Sequence, residues 1–151
     1  MQHFANKLWN IARFILANTG PEDFKDTTRP PECSSAIQDR NQTFLYGFIG
    51  IEQSVTANLE RFALHEAAQD IYQFTWHTFA DQYLEESKSY LADPQTAAIT
   101  RKVLAYTLVT ILKLLHPFMP FVTEEIWENL PSKDTDMLLV SPWPGHADKK
   151  A

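Results

Sequence analysis

Apolar residues recur at three- and four-residue steps along nearly the whole chain, a period that suits helices and excludes alternating strands. Phe4, Leu8, Ile11 and Ile15 set the pattern at once. Residues 3–18 therefore predict an amphipathic helix, closed by Thr19-Gly20-Pro21. Four glycines against nine prolines also count against a hairpin-rich β fold and a glycine-rich phosphate loop.

The stretch "PEDFKDTTRPPECSS", residues 21–35, has no periodicity and predicts a loop between helices. Helical spacing resumes over 37–60, although Gly47 and Gly50 inside it cost about 1 kcal/mol each relative to alanine. A longer helix follows over 63–91, roughly 40 Å at 1.5 Å per residue. Asp93 and Pro94 predict a restart, as N-cap and first helical residue. Val103, Tyr106, Val109, Leu112 and Leu115 form that helix's buried stripe, and His116 ends it at the negative pole of the macrodipole. Pro117 and Pro120 force a corner. Phe118, Met119 and Phe121 are expected to seal it. A short helix from Phe121 carries Glu124 and Glu125 in its first turn and stops at Leu130-Pro131. Residues 131–151 form an extended tail docked by Trp143. The fold expected is all-α, a bundle of four long helices plus a short C-terminal helix, in one domain spanning 1–151.

Apolar residues make up 44% of the 151, enough to bury a core without covalent staples. The single cysteine, Cys33, fits a reducing compartment. No apolar run approaches a membrane span and the N-terminus lacks a signal-peptide layout, so a cytoplasmic protein is expected. A net charge of −6 argues against a general nucleic-acid binder and confines any RNA contact to a local basic face.

Catalytic constellations are scarce. His77 and Asp81, and Asp81 and Glu85, share helical spacing, yet such pairs are ordinary solvated-face features. Adjacent Glu85 and Glu86 point about 100° apart and form no acid–base pair. No histidines stand at zinc-binding spacing, and no G-x-G-x-x-G, Walker or G-x-S-x-G motif occurs. Neither a catalytic group nor a metal site is expected, and binding is the expected role.

Four blocks in order carry a resemblance: "HFANKLWNIARFIL", "YQFTWHTFADQYLEESK", "ILKLLHPFMPFVTEEIWENLP" and "LLVSPWP". Together they resemble the anticodon-binding domain of class I aminoacyl-tRNA synthetases of the valine, isoleucine, leucine and methionine branch. "NKLWN" and "HPFMPFVTEEIW" look most like the valine enzyme. The resemblance implies a helical domain, excised from a larger synthetase, that grips the anticodon stem and loop of a tRNA, that of valine first. It implies ATP and magnesium, and the reaction itself, in the catalytic domain of the same synthetase. No cofactor is implied in this piece. The His-Ile-Gly-His and Lys-Met-Ser-Lys-Ser signatures do not occur, and "SKS" at Ser87–Ser89 is a chance fragment within a helix. The family's second helix opens with an Asp-Arg-Trp-Ile-Leu-like run. The equivalent here is Asn41-Gln42-Thr43-Phe44-Leu45, and Arg40 replaces the usual arginine only if the register slips.

Reading an anticodon needs splayed bases, flat surfaces to stack them on, and side chains that donate and accept at Watson–Crick edges. Asn6, Lys7, Asn10 and Arg13 supply the polar part, with Asn6, Asn10 and Arg13 on one side of the first helix, opposite Phe4, Leu8, Ile11 and Ile15. These four, with Arg40, are the candidate tRNA-binding residues. The bland alternative has Asn10 linking neighbouring helices and Lys7 merely solvated. Trp9, Trp76 and Trp127 are assigned to the core. Two other readings stand beside this one: a synthetase-derived protein-interaction module without RNA binding, which the acidic balance favours, and a small helical enzyme using His65, His77, Asp81 and Glu85.

Overall fold

The computed structural model describes residues 2–33 and 39–145, and among them every regular element is helical. In chain order they are α1 (Gln2–Asn18), α2 (Asp39–Glu60), α3 (Leu64–Gln73), a π-helical segment (Phe74–Tyr83), α4 (Leu84–Ala92), α5 (Ala97–Leu115) and α6 (Pro120–Glu128). Since α3, the π segment and α4 run on without a break, the four long helices and one short helix expected from the periodicity are present. Short 3-10 turns occur at Pro21–Phe24 and Leu138–Val140. Residues 34–38 of the expected loop and second helix lie outside the described residues, as do 146–151 of the tail. No described helix is long and apolar enough to cross a membrane.

The chain divides into two units, Met1–Pro31 with Arg101–Ala151, and Glu32–Thr100. In the first, α1 buries Phe4, Leu8, Ile11, Ala12 and Ile15, the face its spacing predicted. The other helices of this unit depart from expectation in three ways. Along α5 every residue from Val103 to Leu115 is buried, so its whole circumference is core and not one stripe. Lys113 is tolerated there because Nζ lies 3.2 Å from Asp134 and 5.9 Å from the centre of the Trp127 ring. Phe121 does not seal the corner; it is 89% exposed, and Thr123, Ile126, Trp127 and Leu130 are the buried residues of this stretch. Starting α6 at Pro120 turns Phe121 outward and Ile126 and Trp127 inward. Glu124 falls in the second turn of α6, where its carboxylate accepts the backbone N–H groups of Leu138 (2.7 Å) and Leu139 (3.1 Å). The tail is therefore clamped at a 3-10 turn and is not extended throughout. Trp127 is fully buried, as assigned, and donates Nε1–H to the Thr135 carbonyl at 3.0 Å.

At the corner, the Thr123 hydroxyl donates to the Met119 carbonyl at 2.8 Å and sits 3.0 Å from His116 Nδ1. A hydroxyl has one proton, so His116 Nδ1–H is the donor in the second contact. The histidine thereby ties the end of α5 to α6.

The second unit is built on an aromatic cluster. Phe44 and Phe48 of α2 stack on Phe74, Phe79 and Tyr83, with Phe44 and Tyr83 rings 3.9 Å apart and Phe48 and Phe74 rings 4.9 Å apart. In an α-helix Phe79 would lie about 140° round from Phe74. Bonding from i to i+5 in the π segment brings residues five apart onto one face instead. A polar network lies beside the cluster: Tyr83 OH donates to Asn41 Oδ1, and Asn41 Nδ2 donates to Thr100 Oγ1 at 3.2 Å. Burial pushes the Tyr83 phenol well above its usual range. Asp93 does not cap α5 directly; its side chain accepts Gln95 N–H at 2.9 Å in a turn, and α5 begins at Ala97. Gly47 and Gly50 sit within an unbroken α2, with open space where each Cβ would stand.

α2 closes on Phe62 in the left-handed region, at φ 61°. The Phe62 N–H bonds to the Leu59 carbonyl (3.1 Å) and the Ala63 N–H to that of Asn58 (2.8 Å), a Schellman closure with phenylalanine in the usual glycine place. Holding a bulky residue there costs of order 1–2 kcal/mol.

Candidate nucleic-acid interface

Because α1 buries Phe4, Leu8, Ile11 and Ile15, the positions between them are turned away from its core. Asn6, Asn10 and Arg13 are exposed, and Trp9 is half-buried beside them. These four residues line one open cleft of ≈ 360 Å³. Their spacing of i, i+3, i+4 and i+7 is the helical repeat that stacks side chains along one edge. Neither asparagine amide nor the Arg13 guanidinium is committed to another side chain among the described residues, and all three face solvent. Lys7 is half-buried and adjoins this edge in sequence without lining the cleft.

The cleft therefore combines an indole surface, two amides and a guanidinium. Amides donate and accept within one planar group, while the guanidinium only donates. Trp9, assigned to the core from its spacing, is instead part of the wall. Its own i−3 and i+4 neighbours, Asn6 and Arg13, were the signal that it stands on the polar edge.

Arg40 belongs to the other unit. Its Nε and Nη2 donate to the two oxygens of Glu86 at 2.5 and 3.1 Å, and this bond holds the guanidinium protonated more firmly than usual. Trp76 is likewise outside the core, half-buried and stacked on Tyr72 with ring centres 5.9 Å apart. His77 and Asp81 form a solvated pair at 3.5 Å. Among the described residues, no three His, Cys, Asp or Glu side chains come together to hold a metal ion.

A family model described as the anticodon-binding domain of tRNA ligase matches residues 41–151. The chain is 38% identical over 148 residues to the valine–tRNA ligase of Geobacillus kaustophilus (strain HTA426), a match covering 94% of this chain and 16% of that protein. It is 42% identical over 149 residues to the valine–tRNA ligase of Carboxydothermus hydrogenoformans, covering 97% of this chain and 16% of that protein. The valine–tRNA ligase of Pelagibacter ubique is 40% identical over 147 residues, covering 95% and 16%. The chain thus spans about a sixth of the length of these relatives. α1 precedes the family-model match, but coverage this complete takes in most of it.

Proposed function

Since this chain belongs to the anticodon-binding domain family of tRNA ligases, we propose that the α1 cleft holds unstacked anticodon bases of a tRNA, that of valine. The observation that carries this reading is the cleft itself, with Asn6, Asn10 and Arg13 exposed around the Trp9 indole. A base laid against Trp9 contributes roughly 1–3 kcal/mol by stacking. Asn6 and Asn10 meet Watson–Crick edges with a donor and an acceptor each, and Arg13 fits edges or phosphates rich in acceptors. Valine anticodons share a middle A and a final C, so two bases are read and the wobble base is tolerated. Lys7 adds charge at the same edge. Arg40 reaches a phosphate only by giving up its bidentate pair with Glu86.

In this reading the chain is the non-catalytic, positioning part of a valine–tRNA ligase. The ATP- and magnesium-dependent attachment of valine belongs to a catalytic domain of the same enzyme, working in the cytoplasm. The names of the relatives support that assignment.

The test is titration of this chain with a valine anticodon stem-loop and with a scrambled loop at several salt concentrations. Single-strand contacts release about 0.7 counterion per phosphate neutralised, so two cations, Lys7 and Arg13, give a log K against log salt slope between roughly −1 and −2. A flat response with no preference for the valine loop contradicts the proposal and favours a protein-interaction module.

A further inference from the structure

We infer that the turn between α2 and α3 is a protein-docking tip, with Phe62 as its anchor, that packs on the apolar face of a helix flanked by lysine or arginine on a partner protein. Phe62 is 86% exposed and Leu64, two residues on, 57%. Neither the core nor the backbone accounts for Phe62: its ring is in solvent, and its φ of 61° is one that glycine adopts without strain. An aromatic kept at such a position against both preferences points to a contact outside the described chain.

The tip is also held rigid. Asn58, itself buried, accepts from Arg61 Nε (3.0 Å) and Nη2 (2.5 Å) and donates Nδ2–H to Asp70 Oδ2 at 3.1 Å. Asp70 takes a second hydrogen bond, from Ser54 Oγ at 2.8 Å. Four side chains from α2, the turn and α3 thus fix the backbone that projects Phe62. A preorganised aromatic anchor loses little conformational entropy on binding, and such residues dominate protein interfaces.

Charge selects the occupant. The unit Glu32–Thr100 carries three cations, Arg40, Arg61 and Lys88, against ten acidic residues. Arg61 is committed to Asn58 and Arg40 to Glu86, while Glu60 and Glu66 flank the turn in solvent. A phosphate backbone is repelled by that balance, and so is a second copy of the same tip. An apolar helix face with basic flanks is attracted.

The test uses this chain and a fluorescein-labelled amphipathic helical peptide of leucine, tryptophan and lysine. Its control has glutamate in place of lysine. Wild type binds the basic peptide and not the acidic one. Phe62→Gly weakens that binding at least tenfold, raises Tm by removing the strain, and leaves anticodon stem-loop binding within twofold. Leu64→Ser weakens peptide binding with the charge unchanged. Failure of wild type to bind the basic peptide, equal binding of both peptides, or undiminished binding by Phe62→Gly overturns the inference. A fall in Tm for Phe62→Gly makes the ring structural and overturns it too. Loss of stem-loop binding in Phe62→Gly places the tip on RNA instead, and leaves the α1 reading to be judged by its own variants.

Discussion

Arg40 and Glu86 are joined through both carboxylate oxygens, at 2.5 and 3.1 Å, with each side chain more than a third exposed. Solvent screens such a pair, so it contributes about 0.5–1 kcal/mol. Arg40→Ala is expected to lower stability by that amount in urea unfolding and to leave stem-loop binding within twofold. A tenfold loss of binding places Arg40 at the RNA.

Leu112→Ala removes a fully buried side chain from the helix that is core on every side. The expected cost is about 2–5 kcal/mol in denaturant unfolding. A cost below 1 kcal/mol contradicts the burial of α5.

Tyr83 gives a pH signature. Its phenol is held neutral by burial, while the unfolded phenol releases its proton near pH 10. Above that pH the unfolded state has lost a proton that the folded state keeps, so stability falls as pH rises, by up to about 1.4 kcal/mol per unit. Tyr83→Phe removes this contribution to the alkaline slope. It also costs roughly 1–2 kcal/mol at neutral pH by leaving Asn41 Oδ1 without its donor. Parallel alkaline slopes for wild type and variant contradict this account.

Glu124→Ala releases the backbone N–H groups of Leu138 and Leu139. Since a charged acceptor is lost, the expected cost is about 1.5–3 kcal/mol. Proteolysis after Leu130 accelerates more than cleavage within α1. Equal acceleration at both places means that Glu124 serves the whole fold and not the tail alone.

The helices were legible because their apolar spacing is strong and their breakers, Thr19-Gly20-Pro21 and Pro117 to Pro120, are unambiguous. Two kinds of feature escaped. A 3.6-residue period cannot show that Phe74, Phe79 and Tyr83 share a face, because only the π-helical bonding aligns them. Exposure of a single aromatic is equally hidden: Phe121 stands in an apolar stretch, yet the start of α6 turns it outward. The candidate edge Asn6, Asn10 and Arg13 was readable from spacing alone, since the opposite face was plainly core. The pairing of Arg40 was not, because Glu86 lies 46 residues away.

The central claim is that the outward edge of α1 reads nucleotides, and Asn10→Ala with Arg13→Ala tests it most directly. Stem-loop affinity is to be measured for the valine anticodon and for one with its middle A replaced, alongside urea unfolding of each variant. Each change is expected to cost about 1–3 kcal/mol of binding and to narrow the gap between the two loops. Unfolding should stay within about 0.5 kcal/mol of wild type, since both residues are exposed. Unaltered affinity and discrimination in folded variants would contradict the account.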